Sequence, residues 1–122
     1  MKTGIFVLLL LLATLLCVLC NALYINKVAL EMENRLSDLS TPPAEDAKKE
    51  IDMLQAYWER QTPYLSLSVG FPLLDRIGEQ LQLLGVYAEN GDVFGYTEAL
   101  TILHDCMRDL CRLEQCSVEN LL

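Results

Sequence analysis

The sequence predicts an all-α protein in which an N-terminal transmembrane helix continues into a small up-down helical bundle. Three observations carry that prediction. Thr3 to Asn26 contains no charged residue, and within it Ile5 to Cys20 is apolar apart from Thr14. Beyond it, apolar residues recur at alternating spacings of three and four, the period of an amphipathic helix. Breaks containing Pro, Gly or Asn separate these runs into four. Residues 1–26 therefore read as tail and transmembrane anchor, and 27–122 as one acidic helical domain.

The anchor comes first. Gly4 to Ile25 is 22 residues, about 33 Å of helix against a hydrocarbon core of about 30 Å. The lipid bilayer is thus the expected partner of residues 4–25. Ile5, Phe6, Val7, Val18 and eight leucines together favour insertion by about 4–7 kcal/mol, which Thr14 and Asn21 cannot cancel. The competing reading is a cleaved signal peptide, with Lys2 as its basic region and Cys20-Asn21-Ala22 as the processing site before Leu23. The apolar run exceeds the usual length of such a peptide and continues as helix past that site, which favours the anchor. Leu16 and Leu19 precede Cys17 and Cys20; neither is small, so no lipid-modified cysteine is expected. Lys2 and the α-amine form a short basic tail, which stays on the cytoplasmic side and places the domain outside the cell membrane on a single span.

The helical stripe does not stop with the anchor. Ile25, Val28, Met32, Leu36 and Leu39 extend it to about Leu39, giving a segment 27–39 within the domain. Ser40-Thr41-Pro42-Pro43 breaks it, with Thr41 as a cap for the next helix. The second helix, about 43–61, carries Ala44, Ala47, Ile51, Leu54 and Trp58, with Glu45 and Asp46 suited to its first turn. Thr62-Pro63 ends or kinks it. Tyr64 to Pro72 reads as a helical turn or ordered loop, because the alternation of Leu65, Leu67 and Val69 would make a strand with no partner.

The third helix, about 73–89, shows Leu74, Ile77, Leu81, Leu84 and Ala88. In the Glu89-Asn90-Gly91-Asp92 turn, Asn90 and Gly91 tolerate the left-handed conformation that closes a helix, and Asp92 suits the cap of the next. That fourth helix, about 92–114, has Val93, Tyr96, Leu100, Leu103, Met107 and Leu110, with Asp105–Arg108 and Asp109–Arg112 pairs on its polar face. Short turns between such helices force antiparallel neighbours.

Composition excludes some functions. The domain holds all 17 acidic residues and eight of the nine basic ones, a formal charge of −9. Such a surface repels phosphate backbones, so no nucleic-acid partner is expected. Cys106, Cys111 and Cys116 are five apart, about 140° around a helix, so they cannot converge on a metal. Three is also an odd number for an intramolecular disulfide scheme. His104, the sole histidine, has no sequence neighbour placed to make it a general base. Asp105 and Asp109 share a face, yet two carboxylates alone make a weak cation site. No phosphate loop, dinucleotide fingerprint or zinc-protease motif occurs. No catalytic, cofactor-binding or metal-ligating residue is assigned, and no enzyme is expected.

In order along the chain stand the leucine-rich anchor followed by Tyr24-Ile25-Asn26-Lys27-Val28, the single Trp58, and Leu65-Ser66-Leu67. Asp75-x-Ile77, Asn90-Gly91-Asp92 leading to Glu98-Ala99-Leu100, and a terminal Ser117-Val118-Glu119-Asn120-Leu121-Leu122 come after them. This order resembles the domain-of-unknown-function 4363 family of small bacterial membrane-anchored proteins over nearly the whole chain. A histidine often follows the Leu-Ser-Leu element in that family; here the segment reads Ser68-Val69-Gly70-Phe71-Pro72. The resemblance implies a membrane-tethered helical domain and no particular reaction.

The expectation is a non-enzymatic module acting by contact with another protein, a membrane neighbour being the natural one. Tyr57, Trp58, Tyr64, Phe71, Leu121 and Leu122 are the candidate contacts. Trp58 sits on a helix stripe, where tryptophan more often anchors a core. The alternative function is a cation- or ligand-binding sensor on the acidic face of the fourth helix.

Overall fold

The structure is a computed structural model that describes residues 1–39, 41 and 43–121, with side chains described no further than Arg112. Among the described residues there are four helices and no strand. The helices are α1 (Lys2–Ser37), α2 (Ala47–Leu65), α3 (Phe71–Asn90) and α4 (Val93–Leu121).

α1 is unbroken for 36 residues, about 54 Å. Its first buried side chain is Ala22, followed by Ile25, Val28, Ala29, Met32 and Leu36. Everything before Ala22 lies exposed or, at Val18 and Asn21, half-exposed, including Ile5, Phe6, Val7 and the leucines. This N-terminal part is long and apolar enough to cross a membrane. Apolar stretch and bundle therefore share one helix with no linker, and the bundle grips it from Ala22, ahead of Lys27.

The bundle closes as a ring. α1 packs most extensively on α4, α4 on α3 and α3 on α2, while the α1–α2 seam is narrow and, among the described residues, the diagonal pairs do not meet. Contacts across the seams run in opposite senses along the chain. Glu33 faces His104 and Asn26 faces Cys111 across α1–α4. Lys48 pairs with Glu89, Ile51 meets Gly85 and Trp58 meets Gly78 across α2–α3. This is the up-down order that short turns require.

Each helix contributes the stripe its spacing assigns. Met32, Leu36, Ile51, Leu54, Leu65, Ile77, Leu81, Leu84, Tyr96, Leu103, Met107 and Leu110 are fully buried in one core. Each large side chain so placed contributes about 1.5–3 kcal/mol relative to exposure. Ala44 and Val93, at the starts of their runs, stay exposed.

Element ends differ from the sequence reading for local reasons. α2 begins at Ala47 rather than near residue 43, because a tight turn precedes it in which Ala47 N donates to Ala44 O at 3.1 Å. Asp46, not Thr41, holds the N-cap position, without a side-chain cap bond; Ser40 and Pro42 of the expected break lie outside the described residues.

α2 continues past Pro63 to Leu65. Proline lacks one donor, but in a last turn that loss is small, and Ser66 N still reaches Thr62 O at 2.9 Å. The following turn is helical in character: Val69 N donates to Leu65 O at 2.8 Å, and Leu65 and Val69 are buried while Leu67 points out. α3 starts at Phe71, with Pro72 in the first turn where its missing N–H costs nothing. Gly91 ends it at φ 70°, a left-handed conformation that glycine adopts freely. Asp92 then caps α4, its Oδ1 accepting from Gly95 N at 3.0 Å. α4 runs to Leu121 rather than 114, ten residues past Cys111, about 15 Å.

Candidate functional site

An open groove of about 550 Å³ lies between α2 and α3. Its existence follows from what α3 presents to α2. Gly78 and Gly85, seven residues apart, fall on the same face of α3, and both lack the side chain that would hold α2 away. A Cβ on Gly78 would sit 3.9 Å from Trp58 Nε1, and one on Gly85 3.6 Å from Ile51 Cγ2. The upper part of the seam is thus filled by Ile51, whereas lower down the indole is exposed along one edge.

The groove floor is apolar: Trp58, Leu74 and Pro63, with Phe71 at one end. Its rim carries Glu59 from α2 and Asp75 and Glu79 from α3, and among the described residues no basic one lines it. Asp75 and Glu79 are four apart and therefore share a face of α3. Two hydroxyls reach the groove, and both are committed to helix carbonyls: Thr62 Oγ1 donates to Trp58 O at 2.7 Å and Ser66 Oγ to Pro63 O at 2.8 Å. Such a surface is suited to holding a ligand by apolar contact and negative charge.

The aromatic residues singled out in the sequence divide between two surroundings. Trp58 is 3% exposed and belongs to the core, showing only its edge to the groove. Tyr57 is half-buried, with the Arg35 guanidinium 4.8 Å above its ring centroid. Burial raises the Tyr57 phenol above its ordinary value; Glu31 adds to the rise, and Arg35 and Arg60 oppose it. Tyr64 is 63% exposed and meets Tyr24 edge to face at 6.4 Å between centroids. Tyr24 in turn donates from its hydroxyl to Gln61 Oε1. Phe71 is 67% exposed at the groove's lower end. Trp58 and Phe71 are thus brought together, while Tyr57 and Tyr64 lie outside the groove. The side chains of Cys116 and Leu121, and Leu122 altogether, lie outside the described residues.

A second polar feature joins α1 to α4. His104 Nδ1 lies 3.1 Å from both carboxylate oxygens of Glu33, each side chain about one-third exposed. A carboxylate is therefore held against the histidine, supplied by a residue 71 positions away in sequence; spacing along α4 could not reveal it. On α4 itself Arg108 lies 3.7 Å from Asp105. Among the described residues, no three His, Cys, Asp or Glu side chains converge as metal ligands. Cys106 is buried at the core, which raises its thiol above the ordinary value; Asp109 and Asp105 add to this and Arg76 opposes it.

Sequence reasoning missed the groove's acids. Gly78 and Gly85 at one heptad's spacing were the available signal, since two glycines on one helix face announce a close neighbour. No family model matches this chain, and no curated protein or solved structure does.

Proposed function

We propose that this chain is a single-pass membrane-tethered, non-enzymatic interaction module. Its groove between α2 and α3 receives a basic amphipathic segment of another membrane-associated protein. The observation that carries this reading is the rim: among the described residues it has three carboxylates and no base, set around an apolar floor of Trp58, Leu74 and Pro63 with Phe71 at one end. Surface carboxylates of this kind add modest affinity, about 0.2–1 kcal/mol per pair. Their larger effect is on encounter rate and on the choice of a basic partner.

The anchor places the module. α1 carries 20 exposed or half-exposed residues beyond Met1 before its first buried one, Ala22, about 30 Å of helix, which matches the hydrocarbon core. With no linker between anchor and bundle, the groove stands at a fixed height above the bilayer, on the extracytoplasmic side by the charge of the N-terminal tail. Membership of the domain-of-unknown-function 4363 family belongs to the same proposal and rests on the ordered elements from Tyr24-Ile25-Asn26-Lys27-Val28 to Glu98-Ala99-Leu100 and the chain end.

The test is site-specific crosslinking in native membranes. A photoreactive residue at Gln82, in the groove, is compared with one at Glu98, exposed on α4 and outside it. The reading expects a discrete adduct from position 82 alone, lost in the combined Glu59→Gln, Asp75→Asn, Glu79→Gln variant. No adduct at 82, or one indifferent to those charges, overturns it. Intact mass of the membrane protein checks the tether separately, since a chain beginning at Leu23 would lack it.

A further inference from the structure

We infer that the turn between α2 and α3 is a second membrane contact. Leu67, with Tyr64 and Phe71 beside it, rests in the boundary between headgroups and acyl chains of the bilayer that α1 crosses. The inference rests on the proposed anchoring and adds to it a second, smaller lipid contact at this turn.

Height is the first argument. Counted from Gly4, where the expected span begins, a hydrocarbon core of about 30 Å takes up about 20 helical residues and ends near residue 23 of α1. Ser68, in the turn, donates from Oγ to Asn21 Oδ1 at 2.9 Å. The turn is therefore held at the level where the anchor leaves the hydrocarbon. Because α1 is continuous through this level, the turn cannot ride away from the lipid on a flexible linker.

Side-chain direction is the second. Leu65, Val69 and Leu74 from this region supply the core, so the bundle is complete without the residues that point outward. Those are Leu67, 85% exposed, together with Tyr64 and Phe71, while Leu23 of α1 is 66% exposed beside them in height. Exposure alone would not single out this turn, for Phe94, beside the turn between α3 and α4, is 81% exposed.

Charge makes the distinction. Gln61 to Leu74 holds no charged residue over 14 positions, in a domain where 25 of 96 residues are charged. The turn between α3 and α4 runs through Glu89-Asn90-Gly91-Asp92. A stretch with apolar and aromatic side chains and no ionised group has the composition of interfacial anchors. Tyrosines with a ring in the acyl boundary and a hydroxyl in the headgroups mark membrane–water interfaces generally.

Depth-dependent quenching tests this in the full chain reconstituted into phosphatidylcholine vesicles. Leu67→Trp, Phe94→Trp and Leu12→Trp variants are each read against the parent, whose Trp58 gives the background. Lipids brominated near the glycerol should quench Leu67→Trp at least twofold more strongly than Phe94→Trp, and more strongly than lipids brominated deep in the chain do. Leu12→Trp should respond most to the deep bromines. If Leu12→Trp is quenched and Leu67→Trp no more than Phe94→Trp, the turn does not touch lipid, although the anchor stands. If Leu12→Trp is not quenched, the anchor and the turn contact both fail.

Discussion

The two halves of α1 belong to one helix yet are built for different surroundings. From Ile5 to Leu19 the large apolar side chains point in every direction and none is buried by protein. From Ala22 onward burial is confined to one stripe, Ile25, Val28, Ala29, Met32 and Leu36, while Leu23, Leu30 and Asn34 face outward. The first half is apolar all round, as a helix surrounded by lipid must be; the second is apolar on one side, as a helix on a bundle must be. What changes at Ala22 is the selectivity of burial. Lipid asks only for low polarity, whereas a packed core asks for particular shapes at particular positions.

That difference is sharpest for large side chains. Leu36→Ala leaves a void between α1 and its neighbours and should cost about 2–5 kcal/mol of bundle stability, measured by denaturant unfolding in mild detergent. Leu12→Ala removes the same atoms from a position that no other part of the protein covers, so it leaves no void in the core. It should leave the bundle's unfolding midpoint unchanged. Equal losses from both substitutions would break the comparison, because the two halves would then not be energetically separate.

Glycines repeat the contrast at smaller scale. Gly95 is buried in the first turn of α4 with the Tyr87 ring against it, so an added Cβ would lie 2.7 Å from Tyr87 Cδ1 and Cε1. Alanine ordinarily improves a helix by about 0.5–1 kcal/mol over glycine. At Gly95 the sign reverses, and Gly95→Ala should lower stability by about 1–3 kcal/mol as the ring is forced from its place. Gly4 has nothing within 4 Å of the same added atom, and Gly4→Ala should show no loss. Thermal melts of the two variants side by side give the comparison directly.

How far the sequence told this apart depends on what kind of information each feature needs. The stripes of Ile25–Leu39, Ala47–Trp58, Leu74–Leu84 and Tyr96–Leu110 were legible because amphipathic period is a local property, and burial follows it almost residue for residue. The Gly91 terminus and the Asp92 cap were legible for the same reason. Helix ends were less so: α2 starts four residues late because the Ala44–Ala47 turn competes with its first hydrogen bonds. Glu33 against His104 was illegible, since it depends on the register of α1 on α4. The acid rim required knowing that Gly78 faces Trp58, and the place of the α2–α3 turn required knowing that Ser68 meets Asn21 of α1.

Polar groups sharpen the comparison last, with the smallest effect. Thr14, in the apolar half, satisfies its hydroxyl locally by donating to Leu10 O at 2.9 Å, the way a hydroxyl is accommodated where no water is at hand. Tyr96, in the packed half, is fully buried with a hydroxyl that has no partner among the described residues. A buried unmade hydrogen bond costs about 1–3 kcal/mol, so Tyr96→Phe should stabilise the bundle by about 1 kcal/mol at neutral pH, less any gap left by the missing oxygen.

The pH dependence gives the sign independently. Burial, with Glu50 adding to it, raises the Tyr96 phenol above its ordinary value. An unfolded chain releases that proton near pH 10 while the folded chain still holds it. Above about pH 10 the unfolded state thus binds fewer protons, and stability falls as pH rises towards the folded value; below about pH 10 the contribution is intact. Phenylalanine removes this loss, so the advantage of Tyr96→Phe should widen between urea titrations at neutral pH and at alkaline pH. Tyr57, raised in the same direction, should keep a residual alkaline slope in both proteins. If Tyr96→Phe proves destabilising by more than the small gap explains, the hydroxyl does have a partner. The packed half of the molecule would then satisfy its polar groups as fully as the apolar half does.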